Sequence, residues 1–572
     1  MIPFDSSGAF RPVAESSELR GLAVRGAAAT VSAAALALAA QVVSTVILAR
    51  LLTPADFGVV TMVTTFSLLL VSFGANGFNE VVIQRDEMNR FQASNLFWIN
   101  VVVGLILMIG FAAAGSLFAQ FYRNPLVARV TVGMSPAIFI AATSVIHVAL
   151  LKRAMRFTAV SANDVVGRAA NTVVAILLAR SRWGYWALVA GILAQGLCTS
   201  IGAWWLCRWI PSLPRRGVGT RAMVRFAANV YSTFCASYFT RNVDNLLVGW
   251  RFNAVALGYY KKAYDLFALS ASGLTAPLNN VALAALSRAK HDPTRFRRYL
   301  TNSLAMVAFA GMAVGTDLTL VGKDVVRLVL GPKWSESGRI FELFGPGIGV
   351  MLLYSTVCWI HLSIGKPERW FRWTLVESAA TVLLFVAALP WGPAGVAMAW
   401  SVSFWTLLIP AFWYAGRPIG FGVSSLIAAV WKYGAASLLA GLATAAIVRG
   451  TPLWGIPPDA KAGLFAIIVV SALFVTFYLG TVILFHWGLA PLRQLSSLLC
   501  EVAPGRRSLR SVGEVVLSQK SDEERGTLPS GNRAGQITGC GNDGSEALRT
   551  PVVRSGRSRI SSFFCARDSP HS

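Results

Sequence analysis

The chain has 572 residues, of which 55% are hydrophobic and only 13% are charged, and its formal net charge at pH 7 is +25. A water-soluble globular domain usually has about a quarter charged residues, so too little polar surface is present to cover a soluble body of this size. The apolar residues come in continuous blocks of about 20 rather than in alternation, which predicts an all-α polytopic membrane protein and argues against a membrane barrel.

In chain order, the apolar blocks predict about 14 membrane spans. They lie near residues 27–48, 57–77, 96–120, 130–151, 160–179, 184–207, 226–249, 263–286, 301–321, 341–363, 373–389, 393–414, 425–448 and 463–486. The segment 1–26 lacks a small-residue cleavage site after a short apolar core, so the first span is interpreted as a retained helix. In the tail 487–572, Gly, Ser, Arg and short acidic runs replace the apolar blocks beyond about residue 504, which predicts disorder for most of it.

The basic residues are distributed unevenly between the two sides of the predicted membrane. With the N-terminus in the cytoplasm, the cytoplasmic segments up to the last span hold 22 Lys and Arg residues, and the opposite loops hold 14. This excess follows the positive-inside rule and predicts that both termini, including segment 1–26 and the tail, are cytoplasmic. The basic residues punctuate helices rather than cluster on one face, so nucleic acid is not an expected partner.

Two segments of the chain align at an offset of 200 residues without a gap. Residues 44–60 read STVILARLLTPADFGVV, and residues 244–260 read DNLLVGWRFNAVALGYY. Only the glycine at 58 and 258 is identical, but in both segments an apolar run ends, a polar break follows and another apolar helix begins. The copies end the first and seventh predicted spans, and six-plus-six repeats are common in secondary transporters, with the substrate site between the halves.

Two spans contain a pair of opposite charges. Asp164 and Arg168 lie four residues apart in the fifth span, and Arg241 and Asp244 lie three apart in the seventh, so each pair is predicted to share a helix face. An ionised side chain at the bilayer centre costs about 2.5–3.5 kcal/mol, so these residues should face one another or a water-filled cavity. The alternative is that the pairs serve only to hold helices together.

Polar residues extend both pairs into stripes along their helices. These residues are Ser161 and Asn171 on one helix and Tyr231, Tyr238 and Asn245 on the other. The candidates for a substrate cavity are therefore Arg241, Asp244, Asn245, Asp164 and Arg168, and the candidates for binding a coupling proton or Na⁺ are Asp244 and Glu377. Pro136 and the Gly-Pro-Gly at 345–347 predict helix breaks within spans.

The chemistry that the sequence lacks narrows the function. It contains no GxxxxGK[ST] loop for ATP and no Ser/His/Asp or paired-carboxylate pattern for hydrolysis. The seven cysteines show no metal-ligand spacing, so neither a cofactor nor a metal is predicted. These observations favour a transporter rather than an enzyme.

Five stretches resemble the Wzx-type polysaccharide flippases of the MOP superfamily. They are LARLLTPADFGVVTM (48–62), VDNLLVGWRFNAVALGYYKKAYDL (243–266), NNVALAALSRAKHD (279–292), VLGPKW (329–334) and GPAGVAMAWS (392–401). The resemblance covers about residues 25–485, and the LGYY segment after the seventh span is the most characteristic. It provides no specific site residue.

The resemblance implies two six-helix lobes around a central cavity that work by alternating access. The lobes would be residues 27–207 and 226–414, followed by two extra helices in 425–486. It also implies a substrate, an undecaprenyl-pyrophosphate-linked oligosaccharide repeat unit, which is moved to the periplasmic leaflet of a bacterial inner membrane. Other membrane proteins of polysaccharide assembly are possible partners.

Arginine suits such a headgroup because its guanidinium forms bidentate bonds to phosphate. The hypothesis is that Arg241 and Arg168 attract the headgroup, while Asp244 and Asp164 hold them when the site is empty. One alternative is a multidrug or cation antiporter of the same superfamily, and counting charges within the spans does not decide between the two. A membrane enzyme of polysaccharide assembly is a further alternative, but it would be expected to have a long periplasmic loop.

Overall fold

The computed structural model describes residues 3–5, 7–10, 16–85, 87–290, 292–450 and 460–488. Apart from two isolated β-bridges that join Phe4 to Phe10 and Ala9 to Asn89, the regular structure of these residues is helical. The predictions for the tail from residue 489 onward lie outside the described residues.

Nineteen α-helices and three short 3₁₀ turns make up the described part of the chain. The helices of the first half are α1 (Ser16–Leu51), α2 (Pro54–Ala75), α3 (Phe78–Gln84), α4 (Arg90–Ala113), α5 (Gly115–Phe121), α6 (Leu126–Met134), α7 (Pro136–Ala142), α8 (Val145–Arg153), α9 (Phe157–Arg180) and α10 (Tyr185–Cys207). The second half contains α11 (Thr220–Arg251), α12 (Ala254–Arg288), α13 (Pro293–Leu330), α14 (Ser335–Ser355), α15 (Val357–Ser363), α16 (Pro367–Ala388), α17 (Gly392–Gly416), α18 (Val423–Arg449) and α19 (Ala460–His486). The 3₁₀ turns are Pro332–Trp334, Leu389–Trp391 and Arg417–Ile419.

Each predicted span lies on a helix or on consecutive helices, which confirms the all-helical class. By length and composition, ten stretches of the described residues could cross a membrane, and one of them, Glu368–Ile419, contains both α16 and α17. The helices α1, α11 and α12 are outside this set, although Ala35–Leu51 is a shorter apolar helix. The count of 14 spans and the two six-helix lobes therefore stay predictions.

The described residues of segment 1–26 include the start of α1 and a turn that packs against the first half of the chain. Helix α1 begins at Ser16, eleven residues before the predicted start of the first span. Phe4 is only 4% exposed, and its ring centroid lies 5.9 Å from that of Trp209. The Asp5 carboxylate accepts hydrogen bonds from the backbone N–H groups of Ser7 and Ala9, which fixes the turn that folds this segment back on itself.

The predicted break at Pro136 is present, because α6 ends at Met134 and α7 begins at Pro136. A second break follows between α7 and α8, where side chains of neighbouring helices bind the free carbonyl groups. The Asn100 amide donates to the Ala142 carbonyl at 2.7 Å, and the Trp204 indole N–H donates to the Thr143 carbonyl at 2.9 Å. Such side-chain partners allow a helix to be interrupted where water is scarce.

Small residues bring the long helices of the second half close together. A Cβ on Gly315 of α13 would lie 2.9 Å from the Gly345 carbonyl oxygen of α14, and one on Gly311 would lie 3.3 Å from the Gly349 Cα. Both helices thus present a GxxxG pair at their contact, the arrangement that lets helices pack tightly in lipid. Gly345 and Gly349 therefore allow close helix packing. The predicted helix break at residues 345–347 is wrong, since α14 continues through Pro346.

Candidate functional site

The carboxylate of Asp244 is enclosed by aromatic residues from two other helices. Asp244 is fully buried, and its Oδ2 accepts hydrogen bonds from the Tyr260 hydroxyl at 2.8 Å and the Trp400 indole N–H at 3.2 Å. Tyr260 belongs to the LGYY segment of α12, and Trp400 belongs to the GPAGVAMAWS segment of α17. Within the described part of the chain, Oδ1 has no hydrogen-bond partner.

The two predicted ion pairs do not form. Within the described residues, the carboxylates that lie within 4.0 Å of a basic group are those of Asp265 and Glu336. Asp244 instead binds neutral donors in the interior, where an arginine beside it would also lose its hydration. Arg241 stays exposed. The predicted role of Asp244 in holding Arg241 is therefore wrong for this conformation.

A different carboxylate lies near Arg241. Glu377 of α16 lies close to Tyr354 and interacts electrostatically with Arg241, whose helix α11 packs against α16. The Tyr354 hydroxyl also accepts a hydrogen bond from the Trp373 indole N–H at 2.6 Å. The sequence provides no signal for this grouping, because Arg241 and Glu377 lie more than 100 residues apart.

In the fifth predicted span, the charged residues are exposed, whereas the neutral polar residues bind neighbouring helices. Asp164 and Arg168 are both exposed and interact only at long range. The Asn171 amide, in contrast, donates to the Gln195 side chain of α10 at 2.9 Å, and the Ser161 hydroxyl reaches Thr30 of α1 at 3.5 Å. Part of this polar stripe thus holds helices together.

The tyrosines of the α11 stripe also bind a neighbouring helix. The Tyr231 hydroxyl donates to the Leu69 carbonyl of α2 at 2.8 Å, and the Tyr238 hydroxyl donates to the Thr65 carbonyl at 2.9 Å. Asn245 is only 2% exposed, so neither it nor Asp244 offers a surface to a substrate in this conformation. Arg241, Asp164 and Arg168 are the exposed members of the predicted set.

The predicted 200-residue repeat is present in the local structure. Helices α1 and α11 end at Leu51 and Arg251, and α2 and α12 begin at Pro54 and Ala254. The residue before each new helix caps it: the Thr53 hydroxyl accepts from the backbone N–H of Asp56, and the Asn253 side chain accepts from that of Ala256. Helix ends, caps and glycines therefore recur at the same offset.

The two copies contact each other reciprocally where α2 and α12 begin. A Cβ on Gly58 of α2 would lie 1.7 Å from the Ala254 carbonyl oxygen, and a Cβ on Gly258 of α12 would lie 1.9 Å from the Pro54 carbonyl oxygen. Each glycine thus receives the first turn of the other helix, and only glycine permits so close an approach. We call this region, with the adjoining ends of α1 and α11, the α2/α12 end.

Among the described residues, no group of three or more His, Cys, Asp or Glu side chains is placed to hold a metal ion. The arrangement instead combines long apolar helices, one buried carboxylate and exposed arginines within helices. These features define a polytopic α-helical membrane protein.

The model of a family described as "Polysaccharide biosynthesis protein" matches residues 47–339, and the chain belongs to this family. This match confirms the resemblance drawn from the motifs. The chain is 21% identical to the succinoglycan biosynthesis transport protein ExoT of Rhizobium meliloti (strain 1021), over 59% of this chain and 68% of that protein. It is 24% identical to the teichuronic acid biosynthesis protein TuaB of Bacillus subtilis (strain 168), over 54% of this chain and 64% of that protein.

Two solved structures share the fold. The lipid II flippase MurJ in an inward closed conformation superposes with a TM-score of 0.63 at 15% identity, covering 81% of this chain and 99% of that one. An inward-facing multidrug resistance MATE family transporter of the MOP superfamily superposes with a TM-score of 0.52 at 13% identity, covering 67% of this chain and 94% of that one. At these identities the likeness concerns the fold alone.

The enclosure of Asp244 predicts a stability effect. Asp244→Ala leaves the Tyr260 hydroxyl and the Trp400 indole N–H without an acceptor, and each unsatisfied buried group costs about 1–3 kcal/mol. We expect a lower thermal unfolding midpoint of the protein purified in detergent. Asp244→Asn keeps an acceptor oxygen and should lose less, and Asp324→Ala, at an exposed position of α13, should lose nothing measurable. An Asp244→Ala protein as stable as the parent would contradict the enclosure.

Proposed function

We propose that this protein moves undecaprenyl-pyrophosphate-linked oligosaccharide units from the cytoplasmic to the periplasmic leaflet of a bacterial inner membrane. Membership of a polysaccharide biosynthesis family supports the class of cargo. The observation that carries the proposal is the exposure of Arg168 and Arg241 within the long helices α9 and α11. An arginine facing hydrocarbon there would cost at least about 2.5 kcal/mol, so these side chains are best explained as facing a water-filled path.

The chemistry of the exposed residues suits an anionic headgroup. The pyrophosphate is a strong hydrogen-bond acceptor, and a guanidinium offers it two parallel donors. Arg241 has no carboxylate within ion-pairing distance among the described residues, so its charge is available to a ligand. The isoprenoid tail would stay in the lipid while the sugar and pyrophosphate pass through the water-filled path.

The topology predicted from the basic residues assigns the helix ends to the cytoplasmic or the periplasmic side of the membrane. With both termini in the cytoplasm, the α2/α12 end lies on the periplasmic side. The contact between α2 and α12 then closes the periplasmic end, and the protein is in a state that can open only toward the cytoplasm. Alternating access requires this contact to open and the cytoplasmic side to close.

Deletion of the gene in its own host tests the function. We expect lipid-linked repeat units to accumulate in the inner membrane and surface polysaccharide to fall, with both effects reversed by the intact chain. If a deletion strain neither accumulates a lipid-linked oligosaccharide nor loses a polysaccharide, the proposed cargo is wrong. Loss of resistance to cationic drugs in that strain would instead indicate an antiporter.

The buried Asp244 and the half-buried Glu377 are the proposed sites for a coupling proton or Na⁺. In proteoliposomes, an imposed proton or Na⁺ gradient should change the transfer rate of the parent protein, since a cation would compensate the otherwise isolated Oδ1 of Asp244. The gradient should have no effect on Asp244→Asn, if that carboxylate is the coupling group, or on Glu377→Gln, if Glu377 is. A parent rate that ignores both gradients would exclude coupling at either residue.

A further inference from the structure

The ends of α1 and α13 exchange hydrogen-bond donors across the two halves of the chain. Arg50, in the last turn of α1, donates from Nη2 to the Leu328 carbonyl at 2.8 Å and from Nε to the Val329 carbonyl at 3.3 Å. Lys333, just after α13, donates to the carbonyls of Arg50 at 2.8 Å and of Leu52 at 2.6 Å. Each helix thus receives a cationic side chain from the other.

The carbonyls of Arg50, Leu328 and Val329 lie in the last turn of a helix, and that of Leu52 lies just beyond α1. The last four carbonyls of an α-helix have no acceptor role within the helix, and they carry the negative end of its dipole. A cation there stabilises the helix end by about 0.3–1 kcal/mol at the surface, and more where it is partly buried. The C-terminal ends of α1 and α13 are therefore capped by side chains from the other half of the chain, and these bonds hold the two helix ends together.

A buried tryptophan extends this connection into the α2/α12 end. Trp334 is fully buried, and its indole N–H donates to the Ala49 carbonyl of α1 at 2.8 Å. Its ring lies edge-on to Phe57 of α2 at 5.5 Å and to Tyr259 of α12 at 6.1 Å between centroids. Trp334 thus contacts the sequence neighbours of Gly58 and Gly258, the two glycines at which α2 and α12 approach each other.

We propose that Arg50, Lys333 and Trp334 form a latch that holds the α2/α12 end closed and that must release for this end to open. Arg50 and Lys333 are exposed, so water can hydrate the donors and carbonyls once they separate. The exchange of protein partners for water keeps the net strength of each bond modest, which suits a contact that is made and broken in every cycle. The role of the latch in transport rests on the proposed function. The contacts that form the latch are present in the structure whatever the cargo is.

Labelling of a buried cysteine tests the latch without any substrate. Met62 is 1% exposed and lies one helical turn beyond Gly58 on the same face of α2. In a chain whose seven native cysteines are replaced, Met62→Cys should react slowly with a polar maleimide in detergent solution. Adding Arg50→Gln and Lys333→Gln should raise the labelling rate at least about tenfold, the factor that corresponds to 1.4 kcal/mol.

Matched variants separate the latch from a general loss of charge or fold. Arg327→Gln removes an exposed cation from the same end of α13 and should leave the labelling rate unchanged. Lys333→Arg keeps cationic donors and should stay slow, whereas Trp334→Phe keeps a ring without the N–H donor and should label at an intermediate rate. Slow labelling in a monodisperse Arg50→Gln, Lys333→Gln protein would overturn the proposal. Fast labelling in that variant would support the latch even if the protein transports another cargo.

Discussion

Replacing Arg241 by alanine is expected to lower the rate of lipid-linked oligosaccharide transfer by roughly ten- to a hundredfold, because a hydrogen bond to a charged group contributes about 1.5–3 kcal/mol. The side chain is exposed on α11 and has no ion-paired carboxylate among the described residues, so its removal subtracts a ligand contact more than a structural one. Transfer is measured as the fraction of labelled lipid-linked oligosaccharide that becomes accessible on the opposite face of proteoliposomes.

Two further variants make the Arg241 result specific. Arg241→Lys keeps the charge but loses the planar pair of donors, so it should retain an intermediate rate. Arg225→Ala removes an exposed arginine from an earlier turn of the same helix and should match the parent. An Arg241→Ala protein that transfers as fast as the parent at an equal amount in the membrane would remove this residue from the substrate path.

Alanine at Gly58 or Gly258 is the second change for which we expect a large effect, a loss of transfer of at least about tenfold. The added Cβ would overlap the Ala254 or Pro54 carbonyl oxygen at less than 2 Å, and backbone atoms cannot turn aside as a flexible side chain does. Helices α2 and α12 must then separate, and overpacking of this kind costs about 1–3 kcal/mol. The state in which the α2/α12 end is closed would be destabilised. A transport cycle that must pass through this state would then slow down.

Because the two glycines occupy equivalent positions of the repeat, both substitutions should have effects of similar size. Gly110→Ala in α4 and Gly434→Ala in α18 provide the comparison, since a Cβ at either position meets no atom within 4 Å. Both should be neutral or slightly stabilising, because alanine favours a helix over glycine. Full transfer by Gly58→Ala and Gly258→Ala would show that the close approach of α2 and α12 is not needed for function.

The sequence predicted the positions of the helices well because long apolar runs leave few other solutions in a membrane. It also predicted the repeat, even though Gly58 and Gly258 are the only identical residues in the aligned segments. The reason is that the repeat consists of backbone features: a helix end, a helix cap and a close contact between two helices. Many side chains are compatible with the first two features, but only glycine fits at the close contact.

Partners of the charged side chains could not be predicted in the same way. Spacing along one helix suggested that Arg241 pairs with Asp244, whereas the structure gives Asp244 to Tyr260 and Trp400 and places Glu377 near Arg241. These partners come from α12, α17 and α16, so they depend on how distant helices pack. The same limit applies to Arg50 and Lys333, whose acceptors lie about 280 residues away along the chain.

Under the proposed function, this chain carries an anionic, sugar-bearing lipid headgroup across the bilayer past exposed arginines. Transfer of a defined undecaprenyl-pyrophosphate oligosaccharide by the purified protein in proteoliposomes tests it most directly, with protein-free vesicles as the baseline. We predict protein-dependent transfer that inorganic pyrophosphate inhibits and that Arg241→Ala largely abolishes. Transfer no faster than in protein-free vesicles, from a preparation that is folded and correctly inserted, would contradict the claim.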